Sequence, residues 1–195
     1  MSFLGLEYVY PARIEGVRNE QITPKFGGGG DAVVFGATRW HVEIGLEPRT
    51  FTALSHRLTV HRAKHGITRA FDLTMPQTIG GTMPNVDTHQ VVEVAVVGGT
   101  SVQLRAAVDT PLPIGRFIGF VDHPKVYQVD GESDYTVTPA GITVLVHPSL
   151  QATVLPDERW LSTPTLRCRY AQDSGGAMNL TVRGILRPYI TVDEV

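Results

Sequence analysis

Cysteine is nearly missing from this chain of 195 residues: Cys168 stands alone. That excludes an internal disulfide framework and any zinc cluster built on cysteine, and it fits synthesis in a reducing compartment. Nothing approaches the roughly 20 consecutive apolar residues that a membrane-spanning helix needs. Residues 1–7 have no basic segment leading into an apolar one, so no signal peptide is expected. An excess of one charge is missing too. Seventeen Lys+Arg against nineteen Asp+Glu leave −2, too little for a global field that recruits nucleic acid or an anionic membrane. With 42% hydrophobic and 18% charged residues, the composition is that of a soluble globular protein. A chain of this length buries roughly two thirds of its unfolded surface, so it needs no covalent staple.

The signatures of catalysis are absent as well. Gly27, Gly28, Gly29 and Gly30 are not followed by Lys-Ser/Thr, so they are no phosphate cradle. They read as the hinge or tip of an arm, residues 1–30, that orders on assembly. There is no Gly-x-Ser-x-Gly elbow, and Cys168 shares the apolar parity of Leu166 and Tyr170, which makes it a small core hydrophobe. Of the seven histidines, at 41, 56, 61, 65, 89, 123 and 147, only His61 and His65 have i, i+4 spacing. Without a His-Glu-x-x-His pattern the histidines are expected to be solvated surface groups. The acidic pairs Asp157-Glu158 and Asp193-Glu194 are expected as solvated charge in a turn and at the terminus. No catalytic residue, cofactor-binding residue or metal ligand is expected, and the chain does not read as an enzyme.

What the sequence does have is alternation. After a strand at Ala32 to Phe35, Trp40, Val42, Ile44 and Leu46 alternate with polar or small residues, the period of a half-buried strand. Phe51, Leu54 and Leu58 then predict a helix from about Arg49 to Lys64. Its basic end, Arg57, His61, Arg62, Lys64 and His65, suits the negative helix terminus before Gly66. This basic end is expected on an outer surface. Phe71, Leu73 and Met75 alternate again.

From Gly80 to about Arg159 only strands and turns are legible. Val92, Val94 and Val96 lead to a tight turn at Gly98-Gly99, and Val102, Leu104 and Ala106 run back. Ile142, Val144 and Val146 follow Tyr135 to Val137 across Pro139-Ala140-Gly141. Such a run of short strands suits a small closed barrel of the OB type. Leu166, Cys168 and Tyr170, and then Leu180, Val182 and Leu186 beyond Asp173-Ser174-Gly175-Gly176, need a partner sheet. The half-built sheet of residues 32–76 is the available one. The expected fold is therefore mainly β: a discontinuous sandwich of residues 1–79 and 160–195, with one flanking helix, interrupted by a barrel of residues 80–159.

The densest feature is the apolar run Arg116-Phe117-Ile118-Gly119-Phe120-Val121, followed by His123-Pro124-Lys125-Val126-Tyr127-Gln128-Val129. Proline cannot donate to a ladder and holds its predecessor extended, so two strands meet at a sharp corner, with His123 and Lys125 as turn residues. Together with Val144 to Leu150, which holds His147-Pro148, and with Arg39 to Ile44 and Phe71 to Pro76, this run resembles the distal tail proteins of long-tailed bacteriophages. It is most similar to their small form, whose belt domain carries an OB-fold insertion. One departure is Arg116, where the family pattern has an acid after Gly115.

The resemblance implies a tail-tube-like belt domain and a structural virion protein at the tail tip, found in the host cytoplasm during assembly. It implies a homohexameric ring that joins the tail tube protein to baseplate hub or tail fibre proteins. Genomic DNA only passes through the central channel, there is no membrane insertion, and no cofactor is needed. Residues 26–31 would then be a loop that orders against a neighbouring subunit. A different class is an OB nucleic-acid-binding module, for which residues 80–159 offer the cations Arg105, Arg116, Lys125 and Arg159 and the aromatics Phe117, Phe120, Tyr127 and Tyr135. A tail tube or tail-completion protein of related fold is the third.

Overall fold

The computed structural model describes residues 2–3, 6–25, 29–46, 49–50, 60–65, 68–75, 77, 86, 88–171, 178–180 and 185–195. It is mainly β. The strands in chain order begin with β1 (Ser2–Phe3), β2 (Leu6–Lys25), β3 (Gly29–Leu46), β4 (Arg49–Thr50) and β5 (Phe71–Thr74). They continue with β6 (Gln90–Val91), β7 (Ser101–Arg105), β8 (Thr110–Leu112), β9 (Phe117–Phe120), β10 (Val126–Asp130), β11 (Tyr135–Val137), β12 (Ile142–His147) and β13 (Trp160–Leu161). The last are β14 (Thr165–Tyr170), β15 (Met178–Leu180) and β16 (Ile185–Glu194).

An eight-stranded antiparallel sheet runs β1-β2-β3-β16-β14-β5, with β4 and β15 both paired to β16. Both ends of the chain build it. The chain leaves after β5 and returns as β14, the strand hydrogen-bonded to β5, with Leu73 opposite Leu166. Alternation along these strands settles which face is inside: Trp40, Val42, Ile44, Phe71, Leu73, Met75, Leu166, Cys168 and Tyr170 are all buried in one cluster.

Between β5 and β14 lies a six-stranded sheet, β13-β9-β10-β12-β7-β6, with β8 and β11 as a separate pair beside it. Its two end strands meet. Gln90 bridges Arg159, Trp160 N–H donates to His89 O at 3.2 Å, and Val91 N–H donates to Glu158 O at 2.9 Å. The ring of strands is thereby closed around its own core, which includes Val91, Leu104, Ile118, Phe120, Tyr127, Val144 and Trp160. Trp160 and Leu161 pair with Phe120 and Gly119, so the second sheet extends through Leu161 and the first resumes at Thr165.

Three local expectations are corrected. Arg49 and Thr50 are strand, opposite Leu186 and Ile185, so no helix begins there; the described helical residues are 60–65. Pairing to β16 outweighs local helix propensity at this point. Phe51, Leu54 and Leu58 fall outside the described residues, as do Gly66 and the 173–176 connection. The helical turn ends with Arg69 N–H donating to His65 O at 3.0 Å.

The second correction concerns the arm. β2 pairs with β3 from Tyr8 opposite Leu46 to Lys25 opposite Gly29, so Gly29 and Gly30 already belong to a strand, while residues 26–28 lie outside the described ones. Register shifts between Val9 and Arg13 and between Val17 and Asn19 break the side-chain parity. This broken parity is why no alternation is legible there.

The third lies in residues 92–100, which do not form the expected tight hairpin. Only Gln90 and Val91 pair with β7, and Ala95 instead bridges Val154. Ala95 therefore points inward, whereas Val94 and Val96 are 54% and 62% exposed. Gly98, at φ 84°, turns the chain and donates to Leu150 O.

This register predicts different costs for two aliphatic truncations measured by urea unfolding. Leu104→Ala, fully buried, should lose about 2–5 kcal/mol. Val96→Ala should stay within about 0.5 kcal/mol. Equal losses would put residues 92–97 back into the sheet.

Candidate functional site at the joint of the two sheets

Within the run Arg116 to Val129, Phe117–Phe120 and the start of β10, Val126 and Tyr127, are apolar at successive positions because these strands are buried on both faces. Ile118, Phe120, Tyr127 and Val129 enter the core of the closed ring, while Phe117 and Val126 enter the core of the eight-stranded sheet. Gly119 shares the parity of Phe117 and lies under Pro164. A Cβ on Gly119 would stand 2.9 Å from the Pro164 Cβ, so this close approach requires glycine.

Trp40 on β3 is the centre of the joint. Its indole Nε1–H donates to Val126 O at 2.8 Å, and its ring meets Phe117 edge-on at 5.3 Å and His147 at 6.3 Å. The two His-Pro corners thus converge on one side chain: Val126 follows the first, and His147 belongs to the second. The Trp40 backbone N–H donates to Glu194 Oε2 at 3.1 Å, and Lys125 Nζ donates to the same oxygen. Both charged groups are sheltered, with side-chain exposures of 11% for Lys125 and 3% for Glu194.

Further polar contacts cross the joint. The Gln77 amide donates from Nε2 to Phe117 O at 2.8 Å and accepts from Phe117 N–H at 3.1 Å. It extends the β9 ladder where β13 has not reached. Arg116 is fully buried, and its Nη2 donates to Ser162 O at 3.1 Å. Burial pulls the Arg116 guanidinium below its ordinary proton affinity. The position where an acid was expected therefore ties β9 to the segment returning toward β14.

Several expected solvated groups are inside. Asp193-Glu194 is no loose terminus: Ile190, Val192 and Glu194 share the inward parity of β16, which carries the acid into the joint. Glu158 likewise accepts from Leu155 N–H at 3.2 Å and faces His123 Nε2 at 3.4 Å, with side-chain exposures of 6% and 8%. So His123 and Lys125 are turn residues whose side chains each meet a buried carboxylate. His89 is buried and stacked on Trp160, their ring centroids 4.1 Å apart. His41 pairs with Asp193 at 2.7 Å. His56 lies outside the described residues.

His61 and His65 stack on each other at 4.3 Å and pack against Phe71, while Tyr170 OH and His61 Nδ1 share a hydrogen bond of 2.8 Å. Burial, His65 and Lys64 pull His61 below the ordinary imidazole value. Burial pushes the Cys168 thiol up to about 12, which leaves it protonated and inert at neutral pH. Among the described residues, no three His, Cys, Asp or Glu side chains stand where they could share a metal ion, and no helix is long and apolar enough to cross a membrane.

A cleft of about 300 Å³ opens beside the joint, lined by Arg39, His123, Lys125, Tyr127, Gln151 and Glu194 among others. Several of its polar groups are engaged in structure: Tyr127 OH accepts Gln151 N–H at 3.1 Å, and Glu194 holds Lys125. The arrangement can fix one angle between two β bodies. It offers no nucleophile set against a base.

Removing one member of a buried ion pair strands the other, at a typical cost of about 3–5 kcal/mol. Lys125→Met should destabilise on that scale in urea. Adding Glu194→Gln should recover part of the loss, because the amide oxygen still accepts from Trp40 N–H without a charge. Two losses that simply add would show that the ion pair is not what matters. Gly119→Ala should cost about 1–3 kcal/mol by overpacking against Pro164, read by the same unfolding midpoint, and no change would mean that this approach is loose. Compared with known protein families and curated proteins, the chain matches no family model and no curated sequence.

Proposed function

We propose that this chain is a distal tail protein of a long-tailed bacteriophage, in its small form with an OB-like insertion. It acts as a subunit of a hexameric ring that joins the tail tube to the hub or fibre proteins of the tail tip and leaves a channel for DNA. The observation that carries this reading is the chain's path. It leaves an antiparallel sheet after β5, builds a closed six-stranded ring, and returns beside β5 as β14. The motif behind the resemblance, Arg116 to Val129, lies where the two bodies join. An adaptor must present its projecting part at a fixed angle to the ring, and the buried joint supplies that stiffness. Ring closure needs heterologous contacts, for which the edges of an antiparallel sheet are suitable material.

The nucleic-acid reading loses its platform. Phe117, Phe120 and Tyr127 are buried in cores, which leaves Tyr135, half-buried, of the four candidate aromatics. Arg116 is buried as well. Stacking on bases needs exposed faces beside exposed cations.

Negative-stain electron microscopy of the purified chain, with native mass spectrometry, tests the proposal. Rings with six-fold symmetry and a mass of six copies are expected. Extended tubes would point to a tube protein instead. A monomer that shifts single-stranded DNA at physiological salt would overturn the adaptor reading.

A further inference from the structure

We propose that the seam closing the six-stranded ring is an acid-sensitive latch, and that His89 is the group whose protonation opens it. The seam is short. Residues 89–91 are held to residues 157–160 by Trp160 N–H to His89 O, Val91 N–H to Glu158 O and Asp157 N–H to Val91 O, at 3.2, 2.9 and 2.9 Å. By contrast β12 and β7 pair over four residues on each strand. Asp157 in the seam turn is the one non-glycine residue at positive φ, 63°, among the described residues. Left-handed backbone of this kind persists only where the surroundings hold it.

His89 sits at the centre of this seam. It is 3% exposed, and its ring lies flat on the Trp160 indole, 4.1 Å between centroids and 4° between planes. Trp160 Nε1–H is fixed in turn by Arg105 O at 3.1 Å. The Nδ1 atom of His89 is buried and has no hydrogen-bond partner among the described residues. A neutral imidazole tolerates that position. An imidazolium carries N–H donors on both nitrogens, and the buried Nδ1–H would have no acceptor among the described residues.

Among the described residues, the surrounding charges do not help a proton to settle. Arg159, opposite Gln90 across the seam, repels it, and burial and Arg159 together hold His89 below the ordinary value of 6.5. Arg105 is committed to Gln90 Oε1 at 2.6 Å and to Asp157 Oδ1 at 2.7 Å. Glu158 turns its carboxylate to Leu155 N–H and to His123. Glu158 is thus committed to those two groups.

His89 therefore takes up a proton by leaving the stack, and the seam leaves with it. An open state binds more protons than the closed one below pH 6.5, the ordinary histidine value. The closed seam is fully favoured above that pH. As pH falls below it, the open fraction rises by up to about tenfold per unit until the closed-state value is passed.

Amide hydrogen exchange of the full chain between pH 8 and pH 5, corrected for intrinsic rates, reads this directly. Protection at Val91, Asp157 and Trp160 should fall by up to about tenfold per unit below pH 6.5, while Val146, bonded to Thr100 O away from the seam, keeps its protection. In His89→Phe, which keeps a flat ring on Trp160, the fall should vanish. In the wild type, the NMR titration of the His89 ring should track the loss of seam protection, a comparison that needs no variant. Flat protection at the seam, an equal fall at Val146, or a fall that persists in His89→Phe would each overturn the latch.

Discussion

Trp40 has to find a hydrogen-bond acceptor for its indole inside a core, and the acceptor it finds, Val126 O, belongs to the other sheet. A buried tryptophan without such a partner loses much of what its large apolar surface contributes. That requirement fixes β10 over β3 at one height and one angle. Phe117 and His147 then close on the same ring from β9 and the end of β12, so three strands of the inserted body are placed by one residue of the outer sheet.

The polar contacts around the indole refine this placement rather than drive it. Burying Lys125 and Glu194 costs desolvation that their attraction roughly offsets, so the pair adds little net stability while strongly penalising any other register. Gln77 works similarly: its amide mimics one rung of a ladder for Phe117 and would match no other residue of β9 without a shift in register. Gly119 removes the one Cβ that would hold Pro164 and the returning chain away. Apolar burial supplies attraction without direction, and these groups supply the direction.

Strict period-two segments were legible in the sequence. Trp40 to Ile44, Phe71 to Met75 and Leu166 to Tyr170 are half-buried strands whose faces follow from alternation, and Cys168 falls inside with its neighbours. The corner at His123-Pro124 was legible because proline limits what the chain can do. Residues 91–97 were not, since a run of valines looks apolar in either parity and the bridge from Ala95 to Val154 makes the choice. The β2–β3 ribbon was hidden by its register shifts. Glu194 was within reach: Ile190 and Val192 mark the inward row, and an acid continuing that row demands a buried cation. Its partner Lys125 could not be read, because their meeting depends on how two sheets stack. His89 and Glu158 were hidden for the same reason, since ring closure brings distant segments together.

The joint and the seam divide the inserted body unequally. On one side of the seam, the chain from β13 runs into Ser162, whose carbonyl accepts from Arg116 and Gln77. It continues to Pro164, whose carbonyl accepts from Met75 N–H in the outer sheet. That side is anchored to the joint. On the other side, among the described residues, β6 is held by its short pairing with β7, by Arg105 on Gln90 Oε1 and by the seam itself. Local opening follows the elements with the fewest constraints. When the seam parts, β6 moves and β13 stays, so the ring opens without disturbing the angle that Trp40 sets. Rigidity where the body is attached and weakness where it closes are therefore separate properties of the same small ring, set by different residues.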